Sequence, residues 1–204
     1  MNKAGLDYAV ELKPWERCLK EIKVGGQGGR AELIIGAAFN EERAAFAHFT
    51  QATHASRSAI FYSETRFPEG IDWASPQDTE RFVVCVVRGF NYTNEIPSDS
   101  TSTLSAKSVD IAIQHMRRGR CEILFSSIEP IFGTKLYGGS TVPAEIRYLE
   151  YDTEDPNDYH IMVSKASPRG KALAQRLDAA IAALIADGTR DRIFDGYYQQ
   201  LSAP

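Results

Sequence analysis

The sequence predicts an α/β protein of two lobes, each a mainly parallel sheet flanked by helices. Three observations carry that prediction. Apolar runs of strand length alternate with helical patterns from Leu6 to about Thr50. The alternation breaks over the polar stretch Gln51 to Ser58 and restarts at Arg81. Two closing helices then carry a large apolar face with no strand of their own, so they must pack on one of the lobes.

In order, Leu6, Tyr8, Val10 and Leu12 alternate with polar or small residues and read as a strand. Pro14 suits the first turn of a helix, whose apolar face holds Trp15, Cys18, Leu19 and Ile22, and Gly25-Gly26 stops it. Ala31 to Ile35 is the next strand, followed by a small-residue turn (Gly36, Ala37, Ala38) and a helix N-capped by Asn40. Glu41 and Glu42 suit the positive end of that helix, whereas Arg43 in the first turn opposes its dipole by roughly 0.3–1 kcal/mol. An arginine beside free N–H groups at a strand-to-helix turn makes sense if an anion sits there. The alternative is a solvated surface arginine paired with Glu42 or another carboxylate.

Beyond the polar break, Ala59 to Ser63 is a short strand, and Pro68, Gly70 and Pro76 mark a long loop. Arg81 to Val87 is a buried strand, and Gly89 opens a turn into Tyr92 to Ile96. A polar loop over Pro97 to Thr103 and a short strand around Leu104 lead to Ser108. Ser108 caps a helix with Val109, Ala112, Ile113 and Met116 inward, and Gly119 ends it. Cys121 to Phe125 is another buried strand. Arg147 to Tyr151 and Tyr159 to Ser164 are strands around an acidic turn, Asp152 to Asp158. Pro168 starts the longest helix, with Leu173, Leu177, Ala180, Ile181 and Leu184 on one face and Gly188 as C-cap. The final helix carries Ile193, Phe194, Tyr197 and Tyr198.

Composition narrows the functions. With 43% hydrophobic and 25% charged residues, the chain of 204 has the make-up of a soluble globular protein. A net charge of −4 argues against a general nucleic-acid binder. No apolar run approaches the roughly 20 residues that cross a bilayer. Cys18, Cys85 and Cys121 have no CxxC spacing; Cys85 and Cys121 fall in strands and could be neighbours, but buried free thiols are the expectation. His48, His54, His115 and His160 are scattered without metal-like spacing and read as structural or exposed. Arg17 reads as a surface residue, and Glu122 begins a strand without a visible partner. There is no nucleophile motif, P-loop or GxGxxG, so neither a cofactor nor a metal is expected.

Several stretches together resemble the type II periplasmic solute-binding proteins of family 3, which serve amino-acid ABC transporters. LKPWERCLKEI followed by GGRAELIIGA is similar to that family's helix and "G-x-x-D-L-I-I-G" strand. FNEER stands where the family has a T-x-T-x-x-R-like turn, RFVVCVVRGFNY resembles the first strand of its second lobe, and SVDIAIQHMRRGRCEILFSS resembles the helix–strand pair that returns to the cleft. The ending, YHIMVSKASPRGKALAQRLDAAIAALIADGTRDRIFDGYY, is the closest match, and the resemblance covers nearly the whole chain.

The resemblance implies a Venus-flytrap molecule. Lobe 1 would comprise 1–55 and 163–204, lobe 2 would comprise 56–162, and hinges would lie near Gln51 to Ser58 and Asn157 to Ile161. It implies a periplasmic location, a small-molecule ligand and an ABC permease as partner, with Arg43 gripping a ligand carboxylate. Ala38 and Asn40 stand where the family has its threonines, and Trp15 could line the site or pack in the core. Phe90, Asn91 and Tyr92 after Gly89 could meet ligand from lobe 2 or simply pack the turn, and Ser126 and Ser127 end a strand at the expected cleft edge.

Ser127 replaces the family's ammonium-binding aspartate, so the anion half of an amino-acid site is present without its cation half. The family also begins with a strand and a helix, and MNKAGL resembles only that helix's end. An internal methionine of a longer precursor with a signal peptide is the expectation. A genuine truncation would leave unpaired sheet edges and favour a strand-exchanged dimer. The function implied is capture of a small polar, carboxylate-bearing ligand for an ABC transporter, without catalysis. The alternatives are a ligand-sensing module or a cyclohexadienyl dehydratase-like enzyme. The enzyme would need a cleft acid, and Ala38, Asn40, Ser126 and Ser127 supply none.

Overall fold

The elements below are those of a computed structural model, which describes residues 4–25, 31–97, 99, 101–133, 142–153 and 158–202. Gly26, parts of the 97–103 loop and residues 154–157 of the acidic turn lie outside the described residues. The chain forms two compact units, Met1–Ala55 with Pro156–Pro204, and Ser56–Asp155.

In unit 1, α1 (Trp15–Ile22) is followed by β1 (Leu33–Ala38), α2 (Glu41–Ala44), β2 (Ala47–Phe49) and β3 (His54–Ala55). Later in the chain come β9 (Asp158–Ser164), α5 (Gly170–Ala186) and α6 (Thr189–Ser202). The strand β9 is the hub: β1, β2 and β3 all pair with it, each antiparallel. The expected mainly parallel sheet is therefore corrected in this unit. β1 and β2 do run the same way, as a β-α-β step requires, but β9 inserts between them in the opposite sense. Both faces of β9 are covered where its apolar residues Ile161, Met162 and Val163 lie. Ile161 and Val163 face Leu173, Leu177 and Ile181 of α5, while Met162 packs with Ile34 and the Trp15, Cys18, Leu19 and Ile22 face of α1.

Three local readings change in this unit. Leu6–Leu12 belongs to no ladder among the described residues, and Tyr8, Val10 and Leu12 are exposed, so alternation without a partner has not made a strand. β1 continues through Gly36, Ala37 and Ala38 rather than turning there, with a bulge between Ile35 and Ala37 where Gly36 takes φ 76°. The helix after Asn40 is a single turn, because Ala47–Phe49 leaves it to pair with β9.

Unit 2 orders five strands as β6-β5-β7-β4-β8. They are β4 (Ser58–Ser63), β5 (Val84–Val87), β6 (Thr103–Ala106), β7 (Ile123–Ser127) and β8 (Ile146–Glu150), with α3 (Val109–Arg117) and α4 (Ile128–Gly133). Pairs β5–β6 and β5–β7 are parallel, whereas β4 pairs antiparallel with β7 and β8. Here too the sheet is mixed rather than mainly parallel. One face is closed by α3 and α4 over Phe61, Val87, Met116, Leu124 and Ile131, and the other by Trp73, Phe82, Tyr92 and Tyr151 over Ile60, Val84, Ile123 and Phe125. Ser108 caps α3 as its sequence requires, accepting from Ile111 N–H.

Cys85 and Cys121 form a disulfide across this core, with Cα atoms 5.6 Å apart. The expectation of buried free thiols is overturned for this pair, because the parallel β5–β7 register brings the two segments side by side; Cys18 remains a free thiol. Glu122 also finds partners, accepting from Arg66 and from the Val83 N–H.

Candidate functional site

Arg43 sits at the end of a short chain of local causes. Asn40 holds an extended backbone and its side-chain oxygen accepts from the Arg43 N–H at 2.8 Å, as a cap should. That fixes the single turn of α2, and the arginine side chain folds back so that Nη1 donates to the Ala38 carbonyl at 2.8 Å. Its guanidinium lies over the Trp15 ring, 5.4 Å from the centroid. Arg43 is only 5% exposed, so a solvated surface role is excluded. The dipole conflict read from sequence is also small, since α2 spans four residues.

Burial draws the Arg43 pKa below the ordinary arginine value, with Glu42 and Tyr159 pulling it back up. An arginine stays charged under such a shift. The arrangement is a desolvated guanidinium held in one orientation, a kind of group that can pair with a carboxylate.

Four sequence-predicted residues thus come together in unit 1: Arg43, Asn40, Ala38 and Trp15. Their surroundings include residues that sequence reasoning missed. Ala38 pairs with Tyr159 across the β1–β9 ladder, and Ala37 with His160. Phe39, Phe49 and His160 form a run of ring contacts at 5.1 and 5.7 Å, and His160 Nδ1 lies 2.8 Å from the Thr50 carbonyl. For Tyr159 and His160 the only local signal is the pattern of the strand at Tyr159 to Ser164; the neighbourhood depends on a pairing between segments far apart in sequence. Arg17 stands apart from this group: its side chain is exposed and donates to the buried Glu21.

In unit 2 the parallel register Val84↔Ile123 and Cys85↔Leu124 puts the carboxyl ends of β5 and β7 at one edge of the sheet. That is where open α/β sheets present their ligand-binding loops. Gly89 takes φ 78° to make the turn after β5. Phe90 and Tyr92 lie 6.3 Å apart, the Tyr92 hydroxyl accepts from Val87 N–H, and Asn91 Oδ1 accepts from the Thr93 hydroxyl. Ser126 and Ser127 end β7, with Ser127 buried. β6 ends at the same edge, so exposed Lys107 joins this set. It was not singled out from sequence because a single lysine in a polar stretch carries no pattern.

No group of His, Cys, Asp and Glu among the described residues could hold a metal ion, and no helix among them is long and apolar enough to cross a membrane.

Compared with known proteins, the sequence matches no family model and no curated protein. The fold, in contrast, has close counterparts among solved structures. An ancestral arginine-binding protein bound to arginine superposes with a TM-score of 0.75 at 18% identity, covering 97% of this chain and 83% of that one. An amino-acid ABC transporter substrate-binding protein from Streptococcus pneumoniae bound to L-arginine gives 0.75 at 15% identity, covering 100% and 81%. The GluR0 ligand-binding core from Nostoc punctiforme in complex with L-glutamate gives 0.70 at 17%, covering 97% and 85%. The fold is that of the type II periplasmic binding proteins.

Proposed function

We propose that this chain is an extracytoplasmic solute-binding protein that captures a small polar ligand bearing a carboxylate and presents it to an ABC permease. The observation that carries the proposal is the buried Arg43 fork, capped through Asn40, braced by the Ala38 carbonyl and backed by Trp15. The solved structures of the same fold support it through their ligands, because arginine and glutamate share an α-carboxylate. We assign Phe90, Asn91, Tyr92, Ser126 and Ser127 as the ligand contacts of unit 2. Ser127 is a hydroxyl where an α-ammonium would want a carboxylate, so the ligand class extends to carboxylates without a free amino group. The Cys85–Cys121 disulfide supports an oxidising, periplasmic location.

The test is a thermal-shift screen of amino acids, other small carboxylates and short peptides, followed by calorimetry on the best ligand. Arg43→Ala and Arg43→Lys are run alongside. A ligand that raises the melting temperature, is recovered unchanged, and loses about 2–5 kcal/mol of affinity in Arg43→Ala supports the assignment. The lysine variant, which keeps charge but not the fork, is expected to fall between. Equal binding by all three proteins would remove Arg43 from the site.

A further inference from the structure

Unit 2 holds a half-buried carboxylate without a positive partner. The other half-buried acids described in this unit, Glu64, Asp78, Glu122, Glu129 and Glu145, each form an ion pair with an arginine. Glu95 is half-buried too, yet among the described residues it pairs with no lysine, arginine or histidine. Its side-chain partner is neutral: the Tyr151 hydroxyl donates to Glu95 Oε1 at 3.1 Å. A carboxylate taken out of water beside a neutral donor keeps a desolvation cost that a cation would offset. Burial accordingly pushes the Glu95 pKa up.

The place of Glu95 in the sheet gives this a direction. Glu95 lies on the loop after β5, and Tyr151 follows β8. β7 and β8 both pair antiparallel with β4, so the carboxyl end of β8 lies at the same edge as those of β5 and β7, where Ser126 and Ser127 stand. Along the order β5-β7-β4-β8, the Glu95–Tyr151 bond therefore bridges across the ends of β7 and β4. The face agrees with the edge. Ile123 and Phe125 of β7 pack on the Trp73 side and Leu124 on the α3 side, so the two-residue period puts Ser127 on the Trp73 side. Tyr92, Ile96 and Tyr151 pack on that same side. The Tyr151 N–H donates to the Ser58 carbonyl, and Ser58 pairs with Ser127, which ties the bridge to the end of β7.

We propose that Glu95 sets the charge selectivity of unit 2: it receives a positively charged group of the ligand, an ammonium or a guanidinium, and supplies from the β5 loop the carboxylate that Ser127 does not. The inference rests on the reading of this chain as a carboxylate-binding protein and makes carboxylates that also carry a cation its preferred ligands. Glu95 accepts a charge-assisted hydrogen bond from the positive group while the Tyr151 hydroxyl orients the carboxyl. The Tyr151 ring is itself held at 4.9 Å from Trp73 and 6.1 Å from Phe125, so the orienting hydroxyl is carried by a packed aromatic group.

Calorimetry of the 204-residue chain with a set of unbranched six-carbon carboxylates tests this. The set is hexanoate, L-norleucine, 6-aminohexanoate and L-lysine. All share the carboxylate; norleucine adds an α-ammonium, 6-aminohexanoate a terminal ammonium, and lysine both. At least one cation-bearing member is expected to bind about tenfold or more tighter than hexanoate. Glu95→Gln keeps an oxygen for the Tyr151 hydroxyl and removes the preference through weaker binding of that member, whereas Glu95→Asp retains part of it. Whether norleucine or 6-aminohexanoate loses affinity tells which ammonium meets Glu95. If Glu95 only braces Tyr151, all the affinities move together and their ratios stand. That result, or hexanoate bound as tightly as the others, overturns the proposal and leaves carboxylate capture intact. A chain that binds none of the set fails at carboxylate capture itself, and both readings fall.

Discussion

Reducing the Cys85–Cys121 bond should cost unit 2 a calculable part of its stability. The two cysteines are separated by 36 positions. A crosslink of that span removes about 13 cal/mol/K of entropy from the unfolded chain, or about 4 kcal/mol at 25 °C. Both residues are buried, at 0% and 2% exposure, so reduction leaves two thiols in place and the packing of Phe61, Ala112 and Leu124 around them largely intact. The loss is then mainly that of the crosslink. The chain's two tryptophans fall one in each unit, so a Trp15→Phe background lets Trp73 report unit 2 alone. Urea unfolding followed by Trp73 fluorescence, with and without reductant, reads the difference; Cys85→Ala with Cys121→Ala should give a similar loss plus a small packing cost. A thiol titration of the denatured, unreduced chain should find one reactive cysteine, Cys18. Three reactive thiols, or a stability loss under about 1 kcal/mol, would refute the crosslink and with it the compartment argument.

Three further outcomes follow from single groups. Glu21 is held at about 2 by hydrogen bonds from Lys13 and Arg17, below the ordinary glutamate value of 4.5, so its contribution is complete above 4.5 and is lost as pH falls toward 2. In melting temperature against pH, Glu21→Gln should flatten that acid limb. Glu95 is shifted the other way, raised by burial and only partly offset by the Tyr151 hydroxyl. Its ionisation opposes folding at neutral pH, so Glu95→Gln should raise the melting temperature there and lose its advantage below about pH 4.3. Gly36→Ala would place an alanine at φ 76° in open space, a conformational cost of about 1 kcal/mol that urea midpoints can read.

The parts of the fold that could be read from sequence are those whose causes are local. α1, α3 and α5 show their inward residues at helical spacing, and Asn40 and Ser108 stand as caps where the chain turns into a helix. Short elements were lost: β2 has three residues, α4 six, and the 3-10 turn over Pro76–Arg81 lies inside what reads as a long loop. Strand direction was lost for a different reason. A β-α-β pattern fixes β1 and β2 as parallel to each other, but nothing local says that a strand more than a hundred residues later will enter between them. The disulfide was hidden in the same way, because it depends on which strand neighbours β5.

Arg43 joins the two kinds of information. Its backbone position was legible, since Asn40 and the end of β1 are within a few residues of it. Its burial was not, because Trp15 reaches it from α1 and Tyr159 from β9. The Ala38 carbonyl that orients the guanidinium is itself positioned by the β1–β9 ladder beyond the Gly36 bulge. A bulge shifts which way the following residues face. The buried arginine is therefore a consequence of one long-range pairing: the side of β1 that pairs with β9 fixes the carbonyl that holds Arg43.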